Sequence, residues 1–231
     1  MNELVALLPM KAHSERVPGK NFRRLGARPL YAWMLDTLLA IPAVSRVVIN
    51  TDAVERLAAD PRTQNPRVWL RERPEALRGD FVSMNLVLAD DIAAAPATTY
   101  LMTHVTNPFL SAATVAAALD AYRTGIAAGR ADSLFSVTRH QTRFYRADGA
   151  PINHDPDNLV RTQDLEPWFE ENSCLYLFSA ASFAATNARI GRRPILFEIP
   201  RGEAVDIDDA EDWQLAEALA TAAGRSQGES P

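Results

Sequence analysis

A chain of 231 residues is long enough for one sizeable α/β core and short for two full domains. Apolar residues at 47% and charged residues at 23% are ordinary globular usage, and no apolar run approaches the ~18 residues a membrane helix needs. The net charge of −5 offers no global basic field for a nucleic-acid backbone, and the single cysteine, Cys174, excludes an intramolecular disulfide or a paired-cysteine zinc site; a reducing cytoplasm fits such usage.

The N-terminal stretch has a short apolar run without a basic leader or a small-residue cleavage site, so it reads as a first strand rather than a signal peptide. Residues 4–8 form a continuous apolar run, the pattern of a strand buried on both faces. Residues 29–39 predict a helix, with Leu30, Trp33, Met34 and Leu38 along one face. Strands follow at 46–50 and 68–71, with a short helix near 53–59 between them. A helix over 82–93 precedes a strand at 99–103, and a helix over 112–122 precedes a strand at 133–138. The segment 139–172 breaks the rhythm with Asp-Pro and Asp-Gly punctuation and is too long for a simple connection. It is expected to be an excursion, a hairpin or small subdomain, serving as a lid or a dimer contact. A strand at 174–179, a helix at 180–187, a strand at 195–199 and a helix at 211–221 complete one domain over 1–222. The tail 223–231 is expected to be disordered. Strands alternating with helices predict βαβ crossovers, a mostly parallel sheet with helices on both faces, and ligands beyond the carboxyl ends of the strands.

Two polar loops carry chemistry. Between Lys11 and Arg28 stand six cations against one anion, Glu15. The chain has 22 arginines and two lysines, and both lysines, Lys11 and Lys20, lie in the loop 9–21. No GxxxxGK[ST] is present, so the loop is not a P-loop. Lys11, Arg16 and Lys20 are instead spaced around Pro18-Gly19, where they can wrap a triphosphate and stabilise charge developing on a leaving pyrophosphate. Asn21 closes the loop with an amide able to read a base or ribose edge. The second loop is Glu203-Ala-Val-Asp206-Ile-Asp208-Asp209. Alternation along an extended chain sends Asp206 and Asp208 to one side, as a hard-oxygen Mg²⁺ site sharing its shell with phosphate would require. Asp208 with Glu211, or Asp209 with Asp212, also fits a capping pair before the last helix, so either aspartate serves equally well as a cap; Asp206 has no such alternative.

These loops resemble those of the acylneuraminate (CMP-sialic acid) cytidylyltransferases, which activate acidic 2-keto sugars. The family pattern P-A-R-x-G-S-K-R-[IV]-P-x-K-N is similar to PMKAHSERVPGKN here, and Gly26-Ala-Arg-Pro29-Leu30 to the G-x-P-L that follows it. Arg73-Pro-Glu-Ala-Leu77 is similar to the R-P-x-x-L leading to the cytosine pocket, with Ser83 soon after. Thr106-Asn-Pro108 resembles the family's P-T-S-P-L-R turn, Arg161-Thr-Gln163-Asp-Leu-Glu-Pro167 its R-x-Q-D-L-x-P segment, and Asn172…Tyr176 its N-G-x-x-Y. The resemblance covers most of residues 3–220. Departures are Lys11 for a usual arginine, Glu15 for a usual lysine, Ala12-His13 for a Gly-rich pair, His104 near a common glutamine, and Ser173-Cys174 for the glycine after Asn172.

The resemblance implies a three-layer α/β/α fold with a mostly parallel central sheet, nucleotide-diphospho-sugar transferase-like and Rossmann-like, and a Mg²⁺-dependent transfer from CTP to an acidic sugar. It implies triphosphate neutralisation by Lys11, Arg16 and Lys20, and Asp206 and Asp208 as metal ligands, with Asp208 also counted among the catalytic groups. Asn21, Arg73 and Ser83 would select cytosine; Arg161 and Gln163 would take the sugar carboxylate, with His104 on the sugar side. A homodimer whose excursion reaches the partner's site is implied as well. Two alternatives stand beside this reading: a same-fold nucleotidyltransferase using another sugar or nucleotide, and a nucleotide-binding protein without catalysis.

Overall fold

The computed structural model describes residues 3–14 and 16–228, so the substitution at Glu15 lies outside the described residues. In chain order the elements are β1 (Leu4–Leu7), a 3₁₀ turn at Lys20–Phe22, β2 (Arg24–Leu25), β3 (Arg28–Pro29), α1 (Leu30–Leu39), β4 (Val44–Thr51) and α2 (Val54–Ala58). They continue with β5 (Val68–Glu72), α3 (Met84–Ala94), β6 (Thr99–Thr103), α4 (Ala112–Ala127), β7 (Ser133–His140), β8 (Trp168–Phe178), α5 (Ala180–Thr186), β9 (Pro194–Glu198) and α6 (Ala210–Gly228).

Seven strands form one sheet in the order β5-β4-β1-β6-β8-β7-β9, in which only β8 runs antiparallel to its neighbours. The continuous apolar run of β1 has its cause in the middle of that sheet. Leu4, Ala6 and Leu8 join the core under α1 and α4, while Val5 and Leu7 join the core on the opposite face with Leu88 of α3 and Phe183 of α5. A strand covered on both faces cannot alternate polar with apolar residues without burying an unpaired polar group. The layered α/β architecture expected from the alternation of elements is the one observed.

Three differences from the sequence expectation matter. The strand expected to begin at Cys174 begins at Trp168, and β7 runs on to His140, so both ends of the 139–172 excursion are a paired β-ladder with Arg139 opposite Phe169. Residues 168–172 read as loop because four of those five face solvent and are polar or aromatic without alternation. The last helix, expected to stop at Thr221, continues to Gly228 and takes in most of the tail expected to be disordered. The hairpin β2–β3, unforeseen because two-residue strands carry no periodicity, turns at Gly26 with φ 61°. Only glycine adopts that conformation without strain.

A third, smaller apolar cluster sits at the sheet's carboxyl edge and joins Val17 of the first loop, Leu25 of the hairpin, Leu30 of α1, and Ile207, Trp213 and Ala216 of the C-terminal segment. Trp213 is 2% exposed, and truncating such a side chain to alanine costs about 3–5 kcal/mol. This cluster brings the basic loop and the acidic segment together although they lie almost a chain length apart. Among the described residues no helix is long and apolar enough to cross a membrane.

Candidate active site

Because β1, β4, β5 and β6 are parallel, the loops that follow them emerge at one edge of the sheet. They enclose a cleft of about 400 Å³ whose lining includes Lys11, Arg16, Lys20, Asn21, Arg73 and His104. Six of the residues singled out from sequence are therefore walls of one cavity.

The first loop is fixed from three directions. Ala12 N–H donates to Asp52 Oδ1 at 2.6 Å, and Asn21 Nδ2 donates to the Lys11 carbonyl at 2.8 Å. Beneath it lies Arg73, 3% exposed, whose Nε donates to Asn50 Oδ1 at 2.7 Å and whose Nη2 reaches the carbonyls of Asn50 at 2.9 Å and Met10 at 3.4 Å. Arg73 thus ties the end of β4 to the start of the loop and forms the cleft floor. Asn50 Nδ2 in turn donates to Asp91 Oδ1 at 2.7 Å, and burial pushes the Asp91 carboxyl up to about 6.

The cations face carboxylates. Lys11 Nζ pairs with Asp80, Arg16 Nη2 lies 2.8 Å from Asp208 Oδ1, and Lys20 Nζ lies 3.7 Å from the same oxygen while donating to the Ile207 carbonyl. Lys20 is 7% exposed, and burial lowers its pKa against the pull of Asp208 and Asp206. The segment carrying those aspartates is stitched to the loop after β6. Ile207 N–H donates to the Thr106 carbonyl at 2.9 Å, and Glu203 accepts from Ser111 N–H at 2.8 Å and from the Ser111 hydroxyl at 3.1 Å.

The capping ambiguity of the acidic segment is resolved in the coordinates. Asp209 Oδ1 accepts from Asp212 N–H at 3.0 Å, and Asp212 Oδ2 accepts from Asp209 N–H at 3.0 Å, a reciprocal capping pair. The side chains of Asp206 and Asp208 take no part in that pair: Asp208 meets Arg16 and Lys20 instead, beside the cleft they line. Asp206 accepts a hydrogen bond from Thr106, its Oδ1 is buried without a partner, and burial raises its pKa. A desolvated carboxylate oxygen with an open lone pair beside a second carboxylate suits a hard cation. Among the described residues no cluster of three or more His, Cys, Asp or Glu could hold a metal ion without further ligands.

His104 is half-buried at the far wall of the cleft, where burial, with the charges of Arg189 and Lys20, pushes its imidazole down to about 3. It is a neutral donor and acceptor throughout the physiological range. Ser83 does not line this cleft. It lines an adjoining groove of about 260 Å³ and spends its hydroxyl oxygen on the cap of α3, accepting from Asn85 N–H at 3.3 Å. Arg161 and Gln163 also lie outside the cleft. The exposed Arg161 guanidinium grips Asp164 through Nε at 2.7 Å and Nη2 at 3.0 Å, and the Gln163 carbonyl accepts from Gln141 at 2.7 Å. Sequence reasoning missed Asp80 and the anchoring role of Asp52, because each takes its meaning from a contact with the loop across 69 and 40 residues. Cys174 is fully buried, and burial pushes its thiol far up, so it is core rather than nucleophile.

A layered α/β sheet with a cationic loop and a carboxylate pair at its carboxyl edge defines the class of nucleotidyltransferase-type folds. The chain belongs to the cytidylyltransferase family, which it matches over residues 5–219. It is 25% identical over 230 residues to a CMP-N,N'-diacetyllegionaminic acid synthase of Legionella pneumophila, covering 94% of this chain and 95% of that protein. It is 26% identical over 225 residues to an N-acylneuraminate cytidylyltransferase of Oncorhynchus mykiss, covering 93% of this chain but only 49% of that protein. The fold superposes with a TM-score of 0.64 at 15% identity on a CMP:2-keto-3-deoxy-manno-octonic acid synthetase complexed with CTP, covering 96% and 99% of the two chains.

Proposed function

We propose that this chain transfers a cytidylyl group from CTP to the anomeric hydroxyl of an acidic 2-keto sugar, releasing pyrophosphate. The observation that carries the reading is the convergence of Lys20 and Arg16 on Asp208, next to Asp206 with its buried Oδ1 left without a partner. The names of the relatives, which act on legionaminic and neuraminic acids, supply the substrate class.

In the reaction the sugar oxygen attacks the α-phosphorus in line, and the bond to the β-phosphate bridging oxygen breaks. Lys11 and Arg16 exchange Asp80 and Asp208 for phosphate oxygens, and Lys20 adds its buried charge, so that the group stabilises the leaving pyrophosphate more than the intact triphosphate. Asp206 and Asp208 would hold Mg²⁺. When bound, that ion withdraws charge from the α-phosphate and lowers the pKa of the attacking hydroxyl. The buried, unpartnered Asn21 Oδ1 is an acceptor suited to the 4-amino group that distinguishes cytosine from uracil. Arg73 holds the floor on which the base rests. Arg161 and Gln163, which point away from their own cleft, reach the sugar carboxylate of a second copy across a homodimer.

The test is pyrophosphate release with Mg²⁺, each of the four nucleoside triphosphates, and three acids: N,N'-diacetyllegionaminate, N-acetylneuraminate and 2-keto-3-deoxy-manno-octonate. Release with CTP and at least one acid is expected. Measurable CTP binding with no release from any combination would leave a binding protein in place of an enzyme.

A further inference from the structure

The groove beside the cleft contains a cation that the reaction does not use. Arg189, in the connection between α5 and β9, is partly buried with 19% of its side chain exposed. Its Cζ lies 3.9 Å over the ring of Tyr176, its Nη1 rests 3.9 Å from Met102 Sδ, and its Nη2 is 3.5 Å from Glu171 Oε1. The last contact is long beside the 2.7 and 3.0 Å pairing of Arg161 with Asp164, so the guanidinium is placed by stacking and keeps donors to offer. Tyr176 is fixed beneath it, its hydroxyl donating to Glu171 and lying 3.2 Å from Ser173 Oγ.

Position gives this arginine its meaning. Arg189 lines the groove with Ser83, Met84 and Asn85, and Met84 also lines the main cleft. His104 lines the cleft with Lys20 and Met84, and the charges of Lys20 and Arg189 both act on it. The groove continues from the cleft at Met84, so a sugar whose anomeric oxygen meets the α-phosphate near Lys20 would extend its non-reacting end past that shared wall to Arg189. A planar guanidinium with free N–H groups favours oxygen acceptors and disfavours a methyl group, which would cover donors without replacing their hydrogen bonds.

We infer that Arg189, stacked on Tyr176, is a specificity-determining residue that selects an acidic sugar presenting hydroxyls, rather than acylamino groups with their methyls, at its non-reacting end. The inference rests on the proposed function and adds to it the kind of sugar accepted. It is tested with the three acids named above, of which the octonate carries hydroxyls alone and the legionaminate carries two acetyl groups. Arg189→Leu is expected to shift the ratio of kcat/KM, octonate over legionaminate, at least tenfold toward the legionaminate, with the KM for CTP unmoved. Arg189→Lys, which keeps the charge and loses the fork, is expected to fall between. An equal loss on all acids, an unchanged ratio or a shift the other way overturns the inference, since a merely structural arginine lowers every substrate alike. If wild-type protein turns over none of the acids, the proposed function fails separately. The inference is then decided by titrating the same acids into CTP-loaded protein: an Arg189→Leu loss of tenfold in affinity confined to the octonate supports it, and any other pattern overturns it.

Discussion

The basic end of the cleft and the excursion between β7 and β8 both place arginine or lysine against carboxylates, yet the pairs are built differently. At the basic end, Arg16 meets Asp208 across 192 residues and Lys11 meets Asp80 across 69. In the excursion, Arg161 meets Asp164 across three. Long-range pairs form only when the fold is complete, and the small cluster around Trp213 and Ile207 holds theirs in register. A local pair needs one 3₁₀ turn and says nothing about where its arginine stands relative to the cleft. The first kind of region is preorganised within one chain; the second is an arm whose chemistry depends on what it meets. Four outcomes break or sharpen that contrast.

The largest effect is expected at the preorganised end. Asp206→Asn keeps the Thr106 contact available and removes the charge, so pyrophosphate release should fall by roughly 10³-fold or more with little change in thermal midpoint. A loss below tenfold would deny the carboxylate pair its role. The arm is tested next. Arg161→Ala should raise the KM for the acidic sugar by roughly 10–100-fold and leave CTP binding intact, as loss of one charge-assisted pair predicts. Mixing the Arg161→Ala and Asp206→Asn chains, assayed with sugar well below the raised KM so that each alone is nearly inactive, should then restore about a quarter of wild-type turnover, because half the dimers are mixed and each has one intact site. No recovery on mixing would return Arg161 to its own chain's chemistry.

A pH experiment probes the wall between the two ends. The folded-state pKa of His104 is depressed to about 3, so its contribution to stability is fully present above the unfolded value near 6.5 and is lost as pH falls toward 3. Denaturant midpoints of wild type and His104→Gln should therefore diverge on acidification. Wild type should lose about 1–2 kcal/mol more than the variant between pH 6.5 and 5. Parallel curves would mean that the imidazole is well solvated. The smallest effect belongs to the bulge in β8. Ser173 holds φ at 58°, the left-handed region, at the position where the family resemblance has glycine. Ser173→Gly should raise stability by about 1 kcal/mol, seen as a higher midpoint, and a lower midpoint would show that the serine hydroxyl beside Tyr176 outweighs the strain.

The central strands and most helices were legible from their patterns. Residues 4–8 and 100–102 are apolar on both faces because both faces are covered, and the 3.6-residue stripes of α1 and α4 match the core they bury. Lys11, Arg16 and Lys20 were legible because two lysines in a chain of arginines stand in one post-strand loop. The hairpin β2–β3 and the polar start of β8 were not, since neither two residues nor an exposed ladder leaves a period to read. Which residue caps the last helix was likewise undecidable from spacing, which allows several pairings; a backbone geometry that gives the capping bonds to Asp209 and Asp212 settled it.

What the sequence by itself determined is the alternation of strands and helices, the edge of the sheet at which the cleft opens and the chemical type of the two loops, because these follow from local periodicity and residue chemistry. Only the tertiary structure decided which groups share the cleft. It set Asp80 and Asp52 against the first loop, placed Arg73 in the floor, moved Ser83 to a helix cap and turned Arg161 outward. Those assignments depend on contacts between residues far apart in the chain, which close only when the apolar faces of the sheet and helices have packed.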